Sequence, residues 1–423
     1  MQEKIIQYFK LITKIPHCSQ KTDKLLEFLE NFATERGYKV EIDETKNILI
    51  KKGEPQLALQ AHYDMVCIGD APNINIYIKD GWMYAKNSSL GADNGIAIAM
   101  MMVLMDRGEE LEFLITSDEE IGLIGATALN FELKSKYMLN LDFEDEAEVC
   151  IGCAGGADIL ANQKFKSIDS SYTNYYKVSV LGLEGGHSGV DIDKNIPNAI
   201  KVLAKYLSQY SIEVNSIKGG EIRNSIPIEA EALISSIDEL ESNDMIKVEK
   251  LENKFAVWDC KNLIILLNQF QHGVHSYNSK FNLPESSINL AIVEFNNGYA
   301  KIETSVRAMS MNSLNEISKK TITLFSKLNF ETQKQYKYPA WRPNINNFTK
   351  IVGDSMQNIF GKNEYKAIHA GLECGLISEK YPFIEFASIG PTILYPHSTR
   401  EKIKVDSIGK TFEVVEDVIN KIK

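Results

Sequence analysis

No stretch of this 423-residue chain approaches the roughly 18 consecutive apolar residues that a membrane-crossing helix needs. The most apolar run, residues 95–105, is short and reads as a buried helix. Positive charge is in deficit: 46 Lys+Arg stand against 57 Asp+Glu, a formal net charge of −11, which argues against nucleic acid and anionic membrane as partners. Cysteine is sparse, with six residues scattered along the chain, the usage of a reducing cytoplasm. Cys150-Ile-Gly-Cys153 has redox or zinc spacing but no second pair to complete a four-thiolate site. The N-terminal 20 residues mix charge into their apolar positions and lack a small-residue cleavage site, so they read as an amphipathic helix and not a signal peptide. Familiar catalytic signatures are missing too. There is no H-E-x-x-H, no G-x-x-x-x-G-K-[ST] and no G-x-G-x-x-G after a strand, and Gly186-His187-Ser188-Gly189 lacks the G-x-S-x-G spacing. No internal repeat, low-complexity tract or long linker is present. With 44% hydrophobic and 24% charged residues the chain is too apolar to be disordered, and its length suits two or three domains.

The first third alternates strand and helix. Residues 22–36 read as a helix ended by Gly37, residues 38–52 as two short strands, and 57–61, 111–116 and 137–141 as apolar strands, with the helix 95–106 between the first two. This is the pattern of a mostly parallel sheet covered by helices. The middle differs. Residues 175–183 read as a strand, 195–207 as a helix, and 288–295 and 299–307 as a hairpin turning at Asn296-Asn297-Gly298. Ser313 and Glu316 read as a capping box opening a helix to about residue 328. After Pro339 come a helix at 348–360, a strand at 383–389 and a C-terminal helix at 405–421. The expected fold is α/β: a catalytic domain built from residues 1–157 and 339–423, with an α+β lid, 158–338, inserted between them.

Three strands of the first domain end in groups that bind metals or move protons. One runs into His62-Tyr63-Asp64, one into Asp118-Glu119-Glu120, one into Asp142. Ligands of open parallel sheets gather at the carboxyl ends of strands, so these ends point to one shared site. Asp93 in Gly91-Ala92-Asp93-Asn94-Gly95 sits where the helix 95–106 starts, and His397 follows the strand near 383–389. In extended backbone His62 and Asp64 face the same side, so His62 can bind a metal while Asp64 orients it. Glu119 and Glu120 point apart, so one can bind metal while the other serves as a base. Imidazole with carboxylate suits zinc, and also manganese or cobalt; the lack of thiolates argues against a closed structural zinc site. Glu144, Asp145 and Glu146 read as a solvated turn.

These motifs resemble the co-catalytic zinc metallopeptidases. Cys153-Ala154-Gly155-Gly156, Gly185-Gly186-His187-Ser188-Gly189, His369-Ala370-Gly371-Leu372-Glu373-Cys374-Gly375, Gly390-Pro391-Thr392 and Pro396-His397-Ser398 narrow the resemblance to the aminoacyl-histidine, or cytosol non-specific, dipeptidases. It covers nearly the whole chain in order. It implies hydrolysis of dipeptides, of Xaa-His type or broad specificity, by a two-zinc-activated water. His62 and Asp142 would hold one zinc, Glu120 and His397 the other, and Asp93 would bridge them. Glu119 would be the general base, Asp64 the orienter of His62, His187 a ligand of the scissile carbonyl oxygen, and Arg307 a ligand of the substrate carboxylate. Manganese or cobalt are the substitutes for zinc, the expected partner is a small peptide, and a homodimer through the lid is a further expectation. The middle segment is shorter than is usual in that family, and Cys150 is an unfamiliar neighbour for Cys153. The same-fold rivals are an amidohydrolase and a tripeptidase; a non-catalytic scaffold would have lost Glu119 or a ligand, and none is lost here.

Overall fold

The structure, a computed structural model, describes residues 1–423. The chain divides into two compact units, one of Met1–Cys153, Trp341–Ala367 and Leu372–Lys423, the other of Ala154–Ala340 with Ile368–Gly371. No helix is long and apolar enough to cross a membrane.

The first unit is built on an eight-stranded sheet. Its strands lie in the order Lys39–Ile42, Ile48–Lys51, Glu112–Thr116, Leu57–His62, Tyr137–Asn140, Glu385–Ser388, Glu148–Cys153, Glu364–Ile368. Glu112–Thr116, Leu57–His62, Tyr137–Asn140 and Glu385–Ser388 run parallel to one another. The first two of these four are buried at every residue, which is why they read as continuous apolar runs. The edges are antiparallel. Ala92–Asp106 is apolar all round, with 13 buried residues, so it is a core helix. Each of its buried methionines and isoleucines contributes about 1.5–3 kcal/mol. Its regular helical backbone starts at Gly95, where the apolar run does: Gly91 (φ 70°) supplies a left-handed turn, and Asp93 (φ −81°, ψ 103°) and Asn94 (φ −115°, ψ 23°) are non-helical. Asp93 is thereby set at the mouth of the sheet.

The second unit is an antiparallel sheet whose main path runs Ile246–Leu251, Asn174–Val180, Ala230–Ser236, Ile212–Gly219, Leu283–Asn296, Tyr299–Ala308, Gly155–Lys164, Glu331–Tyr338. Helices Ala199–Leu207, Lys261–Gln269 and Met311–Lys327 bury apolar faces in its core. Asn297 (φ 49°) and Gly298 (φ 73°) close the central hairpin, as two positive φ values in sequence require. One cap differs from expectation. Helix Met311–Lys327 is capped by Ser310, whose hydroxyl accepts from the Ser313 N–H, so Ser313 lies inside the first turn.

Cys18 and Cys67 form a disulfide, with Cα atoms 5.5 Å apart, against the thiol usage read from their scattered spacing. Forty-nine residues separate them in sequence, and only the tertiary fold brings the segments together. Cys150 and Cys153 are buried in a sheet strand and are not bonded to each other as a disulfide, which answers their redox spacing with a packing role.

Candidate metal centre

Four parallel strand ends and one helix start deliver the site. His62 is the last residue of Leu57–His62, and its Nδ1 donates to the Asp64 carbonyl oxygen at 3.0 Å. That bond commits Nδ1 and leaves Nε2 facing Asp93 Oδ1 at 3.1 Å and Asp142 Oδ1 at 3.3 Å. The other oxygen of Asp93, Oδ2, lies 3.1 Å from Nε2 of His397. His397 Nε2 is also 2.8 Å from Glu120 Oε2. One carboxylate thus divides its two oxygens between two histidines, each of which has a further carboxylate of its own. The ligand atoms of His62, Asp93 and Asp142 lie within 4.8 Å of one another, as do those of Asp93, Glu120 and His397.

The Asp64 carboxylate serves more than His62, whose Nδ1 is 3.5 Å from Asp64 Oδ1. Oδ1 accepts from the Glu119 N–H at 3.0 Å, and Oδ2 from the Glu120 N–H at 3.4 Å and the Ser19 hydroxyl at 2.7 Å. It pins the turn that carries both glutamates. Glu119 also lies in reach of the centre: one ligand atom each of His62, Glu119 and Glu120 falls within 4.8 Å of the others.

The charges call for cations. Burial, with Asp93, pushes Glu120 up to about 7; burial pushes Asp142 up to about 6 against the pull of His62. Burial, with Glu120, Asp142 and Glu373 as negative neighbours, drives Glu119 well above the usual carboxylate range. Burial opposes the protonated form of His397, yet Asp93 and Glu120 draw it up to about 11. Glu120 Oε1 is buried with no hydrogen-bond partner. Carboxylates that hold protons, and histidines that must stay charged to neutralise their neighbours, are what a site built for divalent cations looks like when its own groups balance it. The donor set of imidazole and carboxylate fits zinc, manganese or cobalt.

Two supporting acids escaped the sequence reading. Glu144, expected in a solvated turn, is half-buried and pushed up to about 9 by burial, with Asp93 and Asp142 adding to it. Glu401 is 2% exposed, and its two oxygens accept from the backbone N–H groups of Leu90 (2.7 Å), Gly91 (3.0 Å), Ala92 (2.8 Å) and Asp93 (3.4 Å). It satisfies the donors at the start of the core helix, and it sits four residues after His397. One short segment therefore supplies one ligand and anchors another. Nothing local marks Glu401 in sequence, because its partners are all backbone and some 310 residues away. Glu401→Ala should destabilise the chain by about 2–4 kcal/mol, the scale of several unsatisfied buried donors, and weaken metal binding about 10–100-fold. Denaturant titration and chelator competition read these two effects, and unchanged metal affinity would leave Glu401 a simple helix cap.

His187 and Arg307 belong to the second unit. His187 lies in the short strand Gly186–His187, paired with Ser225–Ile226. Its Nδ1 accepts from the N–H groups of Gly189 (3.3 Å) and Val190 (3.1 Å). The ring proton is therefore on Nε2, which makes this histidine a donor. Arg307 is 8% exposed, near the end of Tyr299–Ala308. Its Nη1 donates to the Tyr338 hydroxyl at 2.8 Å, while its Nε is buried without a partner. A buried, partly unsatisfied guanidinium is not a rim ion pair. Cross-strand from it is Ser287, whose hydroxyl is 2.7 Å from Nε2 of His369.

Comparison with known proteins places these features in a lineage. The profile described as Peptidase family M20/M25/M40 matches residues 58–421. The chain is 30% identical, over an alignment 468 positions long, to the cytosol non-specific dipeptidase of Escherichia coli, covering 98% of this chain and 96% of that one. The crystal structure of aminoacylhistidine dipeptidase from Vibrio alginolyticus superposes with a TM-score of 0.84 at 29% identity, over 99% of this chain and 96% of the other. A tripeptidase from Staphylococcus aureus shares the fold alone, with a TM-score of 0.60 at 17% identity over 100% and 98% of the two chains.

Proposed function

The chain belongs to Peptidase family M20/M25/M40, and from that premise we propose that it is a metallo-dipeptidase with two divalent ions, zinc by preference, in the centre described above. The observation that carries the reading is the divided Asp93 carboxylate, 3.1 Å from His62 on one side and 3.1 Å from His397 on the other. In this reading His62 and Asp142 would hold one ion, Glu120 and His397 the other, and Asp93 would serve both. Ions held there would supply Lewis acidity and would lower the pKa of a water toward neutrality.

Glu119 takes the proton of the attacking water and returns one to the leaving amine. Asp64 accepts from the Glu119 backbone N–H at 3.0 Å and so fixes the turn from which the base reaches the centre. His187 donates its Nε2 proton to the carbonyl oxygen as negative charge develops there. Arg307 takes the free C-terminal carboxylate of the substrate, for which its planar fork is suited. A dipeptide is the substrate this reading favours. The two relatives of highest similarity reported above carry dipeptidase names, which supports this over a tripeptidase. Hydrolysis of tripeptides without hydrolysis of any dipeptide would overturn it.

Arg307→Ala should cost about 2–5 kcal/mol in transition-state binding of a dipeptide, the scale for removing one partner of a buried charge pair. It should also erase the preference for a free acid over the matched amide. His187→Ala should lower turnover on both, because the carbonyl oxygen is common to them. Kinetics on a matched acid and amide decide the matter, and undiminished discrimination by Arg307→Ala removes it from the site.

A further inference from the structure

A buried polar row crosses the parallel strands just beneath the metal centre. Ser388, Asn140, Gln60, Thr116 and Glu373 are each 0% exposed. Asn140 is the register partner of both Gln60 and Ser388 on its neighbouring strands, and Thr116 ends the next strand, opposite His62. Their hydrogen bonds all run one way. The Ser388 hydroxyl donates to Asn140 Oδ1, and Asn140 Nδ2 donates to Gln60 Oε1. Gln60 Nε2 donates to Glu373 Oε2 at 2.6 Å, and the Thr116 hydroxyl donates to the same oxygen at 2.6 Å. The chain of amides ends on an atom that only accepts.

Direction matters because an amide can be flipped at no steric cost. If Gln60 turned over, its oxygen would face the carboxylate and its N–H₂ would face that of Asn140; both contacts are repulsive. Asn140 is held the same way, and its Oδ1 then accepts from the backbone N–H of Asp142 at 3.1 Å. Gln60 is two residues before His62, and Thr116 three before Glu119. Glu373 itself comes from helix Glu373–Lys380, at whose first turn a carboxylate is favourably placed. Its second oxygen, Oε1, is buried without a partner, so the side chain is retained at a cost that packing alone would not explain.

We propose that Glu373 is a positioning residue for the metal centre: as terminal acceptor of the row it fixes the facing of the Gln60 and Asn140 amides, and through them the backbone of Asp142 and the strand ends bearing His62 and Glu119. The proposal rests on the reading of His62, Asp93, Asp142, Glu120 and His397 as metal ligands. Glu373 touches none of them.

The test uses the full chain loaded with Co²⁺, whose visible absorption reports ligand geometry independently of turnover. Glu373→Ala should weaken Co²⁺ about 10–100-fold in chelator competition, the scale for losing a group that orients ligands. It should also shift the Co²⁺ bands and, at saturating metal, lower kcat with KM little changed. Glu373→Gln, which can still accept from Gln60 and Thr116, should restore the spectrum of the unsubstituted chain even where thermal stability stays reduced. Gln60→Leu cuts the row while leaving Thr116 bonded to Glu373, and should reproduce the spectral shift should Glu373→Ala fail to fold. The double variant should be no worse than the worse single, since both break one chain. Variants that bind Co²⁺ with the affinity and spectrum of the unsubstituted chain, losing only thermal stability, overturn the proposal alone. Failure of the unsubstituted chain to bind Co²⁺ overturns the metal-centre reading and this proposal with it.

Discussion

Glu119→Gln should keep both metal ions and lose about 10²–10⁴-fold in kcat, the range for removing a general base. The amide is nearly isosteric, so the turn held by Asp64 through the Glu119 and Glu120 N–H groups should stand unchanged. What disappears is the capacity to accept a proton at neutral pH. Glu120→Gln should behave in the opposite way. Glu120 Oε2 lies 2.8 Å from His397 Nε2, and Oε1 is buried with nothing to pair with, so the amide would put an N–H₂ where a cation is expected. That variant should lose one metal. Metal analysis with steady-state kinetics on the two variants separates the roles. Exchanged phenotypes would reverse the assignment, a live alternative in geometric terms because both carboxylates lie within reach of His62.

Asp93→Ala should empty both sites together. Asp93 is the side chain shared by the triads His62–Asp93–Asp142 and Asp93–Glu120–His397, so its removal takes one donor from each. The variant should leave neither site fully occupied at concentrations that saturate the unsubstituted chain, and lose about 10³-fold or more in kcat/KM, since Lewis-acid stabilisation of the developing charge is worth several kcal/mol. His62 and His397 would also lose one of the carboxylates that raise their proton affinity. Metal content by elemental analysis is the measurement. One fully occupied site would show that Asp93 belongs to a single metal and does not bridge.

The parts of this fold that were legible in sequence share a physical property. Strands such as Leu57–His62 and Glu112–Thr116 are buried on both faces, so each appears as a short apolar run, and the polar residues that break out at its end are conspicuous. His62, Glu119, Glu120 and Asp142 were visible for that reason. The second unit was less legible. Its edge strands Ile246–Leu251 and Glu331–Tyr338 are largely exposed, and sequences such as ETQKQYKY carry no apolar alternation to betray them. Ser19, Glu401 and the oriented row ending at Glu373 were hidden for another reason. Each acts on backbone or on amides far away in sequence, and no local pattern encodes such a partnership. The Cys18–Cys67 pairing has the same origin.

The anchoring of Asp93 by Glu401 sets when in the life of a chain the site comes into being. The donors it caps, Leu90 to Asp93, precede it by 308 to 311 residues, and His397 meets Asp93 across 304. During synthesis, at roughly 5–20 residues per second, the core helix emerges long before the carboxylate that squares its first turn and the imidazole that completes the second triad. A nascent chain that has not reached His397 already holds His62, Asp93 and Asp142, the first triad, but lacks the imidazole of the second, so only one of the two sites could take an ion at that stage. The closure entropy of that long loop falls on the final step of assembly. Hydrolytic competence would therefore arise only after synthesis has passed His397 and Glu401.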